Sequence, residues 1–303
     1  MFRFKRILFS PLAQRNNPAA VRRVTALVGT NGAHMKLLGV APEPTRFQRL
    51  IQPPGLADEV VAAERARLKA VVRRLATRET DVVEVVVGDP TRTIIESVLS
   101  EHHDLVVVTS DEDRQDRTTI RRLLRTCPCP VWVIRPTRAR TQRVLACVNP
   151  DPAEFDVNKA ILELASSMVA MSGGELHVLH AWQLYGEATL RSSAFVRATP
   201  DQISKLLLAE ERRSQQALTK LLDTALVEPE VSVEVHLVKG APEDIVPELV
   251  AKKRINLVVM GTAGRTGPAA MIMGNTAERI IDDVKCSLIA VKPLSFVSPV
   301  KTP

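Results

Sequence analysis

The chain has 303 residues, a net charge of +7, 45% hydrophobic residues and only 3% aromatic ones. Its length accommodates one large domain or two ordinary ones, each able to bury its own core. With one tyrosine and two tryptophans, it argues against a single-stranded nucleic-acid platform, which stacks successive bases on several aromatic faces.

No apolar run approaches the roughly 20 residues that span a bilayer, so the chain is not expected to be membrane-spanning. The stretch Met1–Ile7 lacks the apolar region and small-residue cleavage site of a signal peptide, which leads to a cytoplasmic expectation. The basic excess lies in the first half, where Arg65, Arg67, Arg73, Arg74, Arg78, Arg121, Arg122 and Arg125 are scattered along helical segments. Such a distribution reads as a solvated face before it reads as a nucleic-acid surface.

In chain order, the first copy reads as strand, helix, strand, long helix, strand, helix, strand, helix, strand, from Ile7–Phe9 through Asp104–Val108 to Val131–Ile134. Much of this then recurs. Lys5–Ser10 returns as Gln142–Cys147, Val85–Pro90 as His236–Pro242, Asp104–Val108 as Asn256–Met260, and Cys129–Pro136 as Cys286–Pro293. The spacing between matching segments grows along the chain, so the second copy carries insertions.

The second copy predicts strands over Arg143–Val148, Glu175–Trp182, Val231–Val238, Leu257–Met260 and Leu288–Val291. Between them lie helices over Pro152–Met171, Pro200–Leu226, Pro242–Lys253 and the run beginning at Ala277. Ser172-Gly173-Gly174 stops the first of these helices. Valine- and isoleucine-rich strands alternating with helices indicate a parallel sheet covered on both faces. The fold class expected is therefore α/β: two tandem, doubly wound, five-stranded, Rossmann-like domains. Their expected bounds are 1–136 and 143–293, with a linker at 137–142 and a tail at 294–303.

Gly261 and Gly264, followed after nine residues by Gly274-Asn275-Thr276, form the most informative motif. It follows the strand ending at Met260 and runs into a helix. Glycines at a strand's carboxyl end let the backbone turn and approach a ligand closely, while a helix start presents N–H groups and positive dipole to phosphate. The pattern is neither a Walker loop nor a dinucleotide G-x-G-x-x-G.

This spacing resembles that of the universal stress protein family, whose nucleotide-binding members carry G-x2-G-x9-G-[ST] here. The resemblance extends through the final strand at Cys286–Pro293 and looks most like the E-type members, which carry two such domains in one chain. It implies a stress-response or regulatory role, and a covalent pseudo-dimer joined through Val131–Ile134 and Leu288–Val291. It also implies an ATP site whose phosphates meet Gly261, Gly264, Gly274, Asn275 and Thr276, with Arg265 adding charge. Adenine would lie beyond Met260, near Ala181 and Asn149. Two positions depart from the family pattern. Asn275 stands where serine or threonine is usual, and Asn149 stands where the first strand ends in aspartate, with Asp151 two residues on.

The matching segment of the first copy, Thr109–Thr119, has no glycine and carries Asp111, Glu112, Asp113 and Asp116. Nucleotide is therefore expected in the second domain only. The alternative is an interaction protein whose second domain carries a small apolar or lipid-like ligand beneath Tyr185–Thr199, a segment containing Leu190, Phe195 and Val196 that reads as a lid or a plain loop.

Other residues offer less chemistry. Cys127 and Cys129 are one residue apart, not two as in a zinc or thioredoxin pair; with Cys147 and Cys286 they read as core cysteines, an oxidation-sensitive pair being the alternative. His102-His103-Asp104 reads as a surface pair. His177 and His180 lie three apart on one strand and face opposite ways, so they cannot share a ligand. No nucleophile stands beside a base, so an enzyme is not expected. A metal is not expected either. The protein partner and any further homodimer are left open.

Overall fold

The structure, a computed structural model, describes residues 4–12, 18–44, 51, 53, 55–75, 80–111, 114–137, 139, 141–192, 198–226, 232–262 and 273–300. In the first repeat β1 (Arg6–Pro11), α1 (Pro18–Asn31), β2 (His34–Ala41), α2 (Leu56–Leu75), β3 (Thr80–Val87), α3 (Pro90–Glu101), β4 (Leu105–Thr109), α4 (Arg114–Thr126) and β5 (Val131–Ile134) alternate as the sequence predicts. In the second, β6 (Arg143–Cys147) is followed by a 3-10 turn at Pro152–Glu154 and α5 (Phe155–Ala170). There follow β7 (Glu175–Trp182), α6 (Glu187–Ser192), α7 (Pro200–Ala225), β8 (Val233–Lys239), α8 (Pro242–Lys253), β9 (Leu257–Gly261), α9 (Asn275–Asp283) and β10 (Ser287–Val291). The expected single helix over Pro152–Met171 thus begins as a separate turn, and part of the inserted segment is the short helix α6. Val231, predicted to start a strand, lies outside the described residues, as do Phe195 and Val196.

The chain forms two compact units. One contains the first repeat up to Ala139 together with the segment from Lys285; the other runs from Thr141 to Gly261 and resumes at Gly274–Val284. In the first unit the strand order is β3-β2-β1-β4-β5-β10. The strands of the first repeat pair in parallel, while β10 pairs antiparallel with β5 through Leu288↔Val133, Ile289↔Trp132 and Ala290↔Val131. Every residue of β4, β5 and β10 is buried, as expected of strands covered on both faces. Each fully buried valine, leucine or isoleucine contributes roughly 1.5–3 kcal/mol of transfer free energy.

The second unit carries the parallel order β9-β6-β7-β8. Right-handed crossovers from β6 to β7 to β8 lay α5 and α7 on one face; the return to β9 reverses direction and lays α8 on the other. Accordingly α5 packs on α7, and α8 on α9. The reversal falls between β6 and β9, which is the switch point where such sheets bind ligands.

The repeats use the same backbone devices. The Asp104 carboxylate accepts the Lys5 and Arg6 N–H groups at 2.6 and 3.0 Å. At the equivalent place the Asn256 Oδ1 accepts the Arg143 N–H at 3.2 Å, and its Nδ2 donates to the Thr141 carbonyl. Gly88 N–H donates to the Ala41 carbonyl, and Gly240 N–H to that of Trp182. His102 and Arg254 both end their helices in the left-handed conformation, at φ 56° and 53°. His102-His103 is therefore not a surface pair: His102 caps α3, and His103 turns inward and is buried.

Gly174 stands where no side chain fits, since a Cβ there would lie 1.8 Å from the Gln142 carbonyl oxygen. We expect Gly174→Ala to lower stability by roughly 1–3 kcal/mol, read as an earlier urea midpoint. In the first unit Lys292 is 7% exposed. Its ammonium lies 4.5 Å from the Phe296 ring centre and donates to the Arg125 carbonyl at 3.3 Å. Burial lowers its pKa from 10.5 to about 8, opposed by the neighbouring Cys127. Between those values the unfolded lysine holds a proton that the folded one has released, so stability rises with pH across that window. Lys292→Met should therefore be more stable than the parent at pH 7, on the order of 2 kcal/mol. The gap should shrink as pH climbs from 8 to 10 in paired urea titrations.

Candidate functional site

Parallel register sets out the carboxyl end of the second unit. Cys147 pairs with both Met260 and Leu179, so Met260 and the residues just past this row, Asn149, Ala181 and Gly261, lie at adjacent strand ends. Gly261 is half-buried, and a Cβ on it would meet Val157 Cγ1 at 3.2 Å. Its lack of a side chain therefore lets α5 approach β9, in addition to any part it plays toward a ligand. Gly264 and Arg265 lie outside the described residues.

Gly274 is the N-cap of α9 in an extended conformation, φ −69° and ψ 146°, with no side-chain cap. Glycine supplies no acceptor there, so the first N–H groups of α9 receive none from the capping position. Asn275 and Thr276 are exposed at this end, while Ala277 is buried. The Arg279 guanidinium pairs with Glu243 in the first turn of α8 at 3.3 Å. Since α8 starts directly after β8, this pair holds the start of α9 on the carboxyl side of the sheet.

Asn149 is held from below by α5. Its N–H donates to Asn158 Oδ1 at 3.0 Å, and the Asn158 amide returns a bond to its carbonyl. The Asn149 Nδ2 donates to Glu154 Oε1 at 2.9 Å. An aspartate here would put two carboxylates in contact, which is the local reason for asparagine. Asp151 does not take over that role: its carboxylate accepts the Ala153 N–H at 2.9 Å and caps the 3-10 turn. Ala181 is partly exposed near the end of β7.

The inserted segment borders this end of the sheet, because it leaves from Trp182. Glu187 of α6 pairs with Lys239 of β8 at 2.8 Å and with Arg191 at 2.8 Å. Those hydrogen bonds, with Lys239 foremost, hold the Glu187 carboxyl below its usual pKa. Tyr185 is fully exposed and Leu190 half-buried.

The first repeat is built differently at the matching place. Asp116, in the first turn of α4, is 7% exposed and accepts the Asp111 N–H at 3.0 Å, so a carboxylate of the chain occupies the loop. The same unit carries a groove of about 480 Å³, lined by Asp89, Arg92, Arg122 and Val300 among others. Its arginines are already matched to acids, Arg92 with Glu96 at 2.7 Å and Arg122 with Asp89 at 3.5 Å. The Cys127 and Cys129 sulfurs lie 3.6 Å apart. Their hydrogen bond is the largest cause pushing the Cys129 pKa well up, which favours the thiol over the thiolate.

A second constellation escaped the sequence reading. His177 meets Glu234 and His236 of the neighbouring strand, and donor atoms of all three lie within 4.8 Å of one another. His180 is elsewhere, its Nδ1 3.3 Å from the Val148 carbonyl. The alternation H-x-x-H excludes the pair His177–His180, and only the β7–β8 register reveals the cross-strand group.

Comparison with known proteins matches two stretches of the chain, residues 4–135 and 141–292, to the Universal stress protein family. Universal stress protein E of Photorhabdus laumondii is 26% identical, over 95% of this chain and 94% of its own. Universal stress protein E of Escherichia coli K12 is 27% identical over 70% of this chain and 68% of its own. Among solved structures, the protein PA1789 of Pseudomonas aeruginosa PAO1 superposes with a TM-score of 0.69 at 21% identity, over 96% of this chain and 93% of that one. The chain thus belongs to the universal stress protein family, as a tandem member of the E type with two copies of the family's domain.

Proposed function

We propose that the second repeat binds an adenine nucleotide, ATP in the first instance, across the ends of β6, β7 and β9. Family membership supports a stress-response role, and binding would make that response nucleotide-dependent. The phosphates sit against Gly261, Gly264, Gly274, Asn275 and Thr276, with Arg265 as an added charge. The base lies near Asn149, Ala181 and Met260. The observation that carries this reading is the glycine N-cap of α9: Gly274 supplies no side-chain acceptor and Asn275 and Thr276 are exposed beside it, an arrangement that favours an anion at the helix start.

The first repeat takes no nucleotide in this reading, because Asp116 satisfies its own loop and would repel phosphate. Binding is proposed without turnover, since Asp151 and Glu154 each hold a local bond and neither serves as a base. The function is that of a cytoplasmic regulatory protein.

Native mass spectrometry and calorimetric titration of the full chain with ATP and magnesium test this directly, with micromolar affinity expected. Gly264→Val should abolish binding with the circular dichroism unchanged, whereas Gly261→Val would disturb α5 and decide nothing. Asn275→Asp separates binding from folding. A carboxylate at a helix start favours the helix by about 0.3–1 kcal/mol but repels phosphate, so stability should hold or rise while affinity falls about tenfold or more. Absence of binding by the parent, or an unchanged affinity in Gly264→Val, would overturn the proposal.

Repairing Asn149 needs two changes. Asn149→Asp alone should weaken both stability and binding through Glu154. Asn149→Asp with Glu154→Gln should bind more tightly than the single variant, by about tenfold, the worth of a hydrogen bond to a charged acceptor.

A further inference from the structure

At the opposite end of the second unit, near the amino ends of β7 and β8, three ligand-type side chains converge. The register pairs His177 with Glu234 and Leu179 with His236. Side chains alternate along a strand, so His177, Glu234 and His236 share one face. The His177 Nδ1 lies 3.0 Å from the His236 Nε2 and 3.4 Å from Glu234 Oε2, and the His236 Nε2 lies 3.8 Å from Glu234 Oε1. We propose that His177, Glu234 and His236 form a binding site for a divalent transition-metal ion, with Zn²⁺ the best fit.

Two features of the geometry point this way. A tetrahedral ion with bonds of about 2.0–2.1 Å holds its ligands about 3.3–3.4 Å apart, in the middle of the observed spacings. Two imidazoles and one carboxylate are a borderline donor set that suits zinc and leaves a fourth position for water.

The other side of His177 faces a carboxylate that can orient it. His177 is 3% exposed, and its Nε2 has no hydrogen-bond partner among the described residues. Ligation through Nδ1 places the proton on Nε2, with the Glu175 carboxylate 3.8 Å away. That oxygen also accepts the Arg143 Nε–H at 3.1 Å; shared between the two, it would complete the carboxylate–histidine–metal arrangement that orients such ligands.

The Lys253 ammonium, 2.6 Å from Glu234 Oε1, competes with the metal for that carboxylate. The bound ion would fasten β8, the edge strand of its unit, to β7.

Titration of the full chain, first freed of metal with a chelator, with Co²⁺ reads the site through the visible absorption of tetrahedral cobalt, and Zn²⁺ competition gives its affinity. One equivalent is expected. His236→Ala, at a largely buried position of the edge strand (side chain 12% exposed), should weaken binding by about 100-fold or more with the circular dichroism unchanged, and Glu175→Gln by about tenfold. Lys253→Met should tighten it. That gain would not arise from a purely structural histidine pair. Failure of the parent to bind Co²⁺, or retention of full stoichiometry by His236→Ala, would overturn the site.

Discussion

Strands buried on both faces of a parallel sheet can deliver polar chemistry only at their ends, and every helix that follows a strand begins at the same, carboxyl, end. This constraint of burial and handedness governs the molecule. It leaves β4, β5 and β10 buried along their whole length and places Asn149, Ala181 and Gly261 at adjacent strand ends. The N-terminus of α9 comes to the same edge because its partner α8 starts there. The candidate nucleotide site is what a parallel sheet leaves open.

The two repeats show how one scaffold separates folding from binding. Asp104 and Asn256 anchor the first strand of their repeats alike, and Gly88 and Gly240 close matching turns. These devices satisfy backbone groups that must be satisfied in either copy. The loop after the fourth strand is under no such demand. In the first repeat Asp116 satisfies it from within; in the second the capping position is a glycine with no side chain to offer. Asn149 records a similar compromise, since its amide matches Glu154 where a carboxylate would not.

The histidine pair lies at the other end of the strands, away from the glycine motif. A nucleotide and a metal would then act on opposite ends of β7, the one through its carboxyl end and the other through its tie to the edge strand. Lys253 joins the charge balance there from the last turn of α8.

Much was legible in the chain itself. The internal repeat, the succession of strands and helices along each copy, Glu175–Trp182 and Pro242–Lys253 to the residue, and the glycine motif all follow from periodicity and local turn chemistry, which act over a few residues. Less legible were the features that depend on which strands become neighbours. The 3-10 turn at Pro152–Glu154, the capping task of Asp151, the inward turn of His103 and the hold of Glu154 on Asn149 each need a partner's position. His177 was visible as a residue, but its partners His236 and Glu234 are joined to it only by the register of β7 with β8. Local sequence determined which segments would be strands and helices, because propensity and hydrophobic period are properties of the chain. Only the tertiary structure decided which polar side chains meet, because register and crossover direction are set by the packing of the whole sheet.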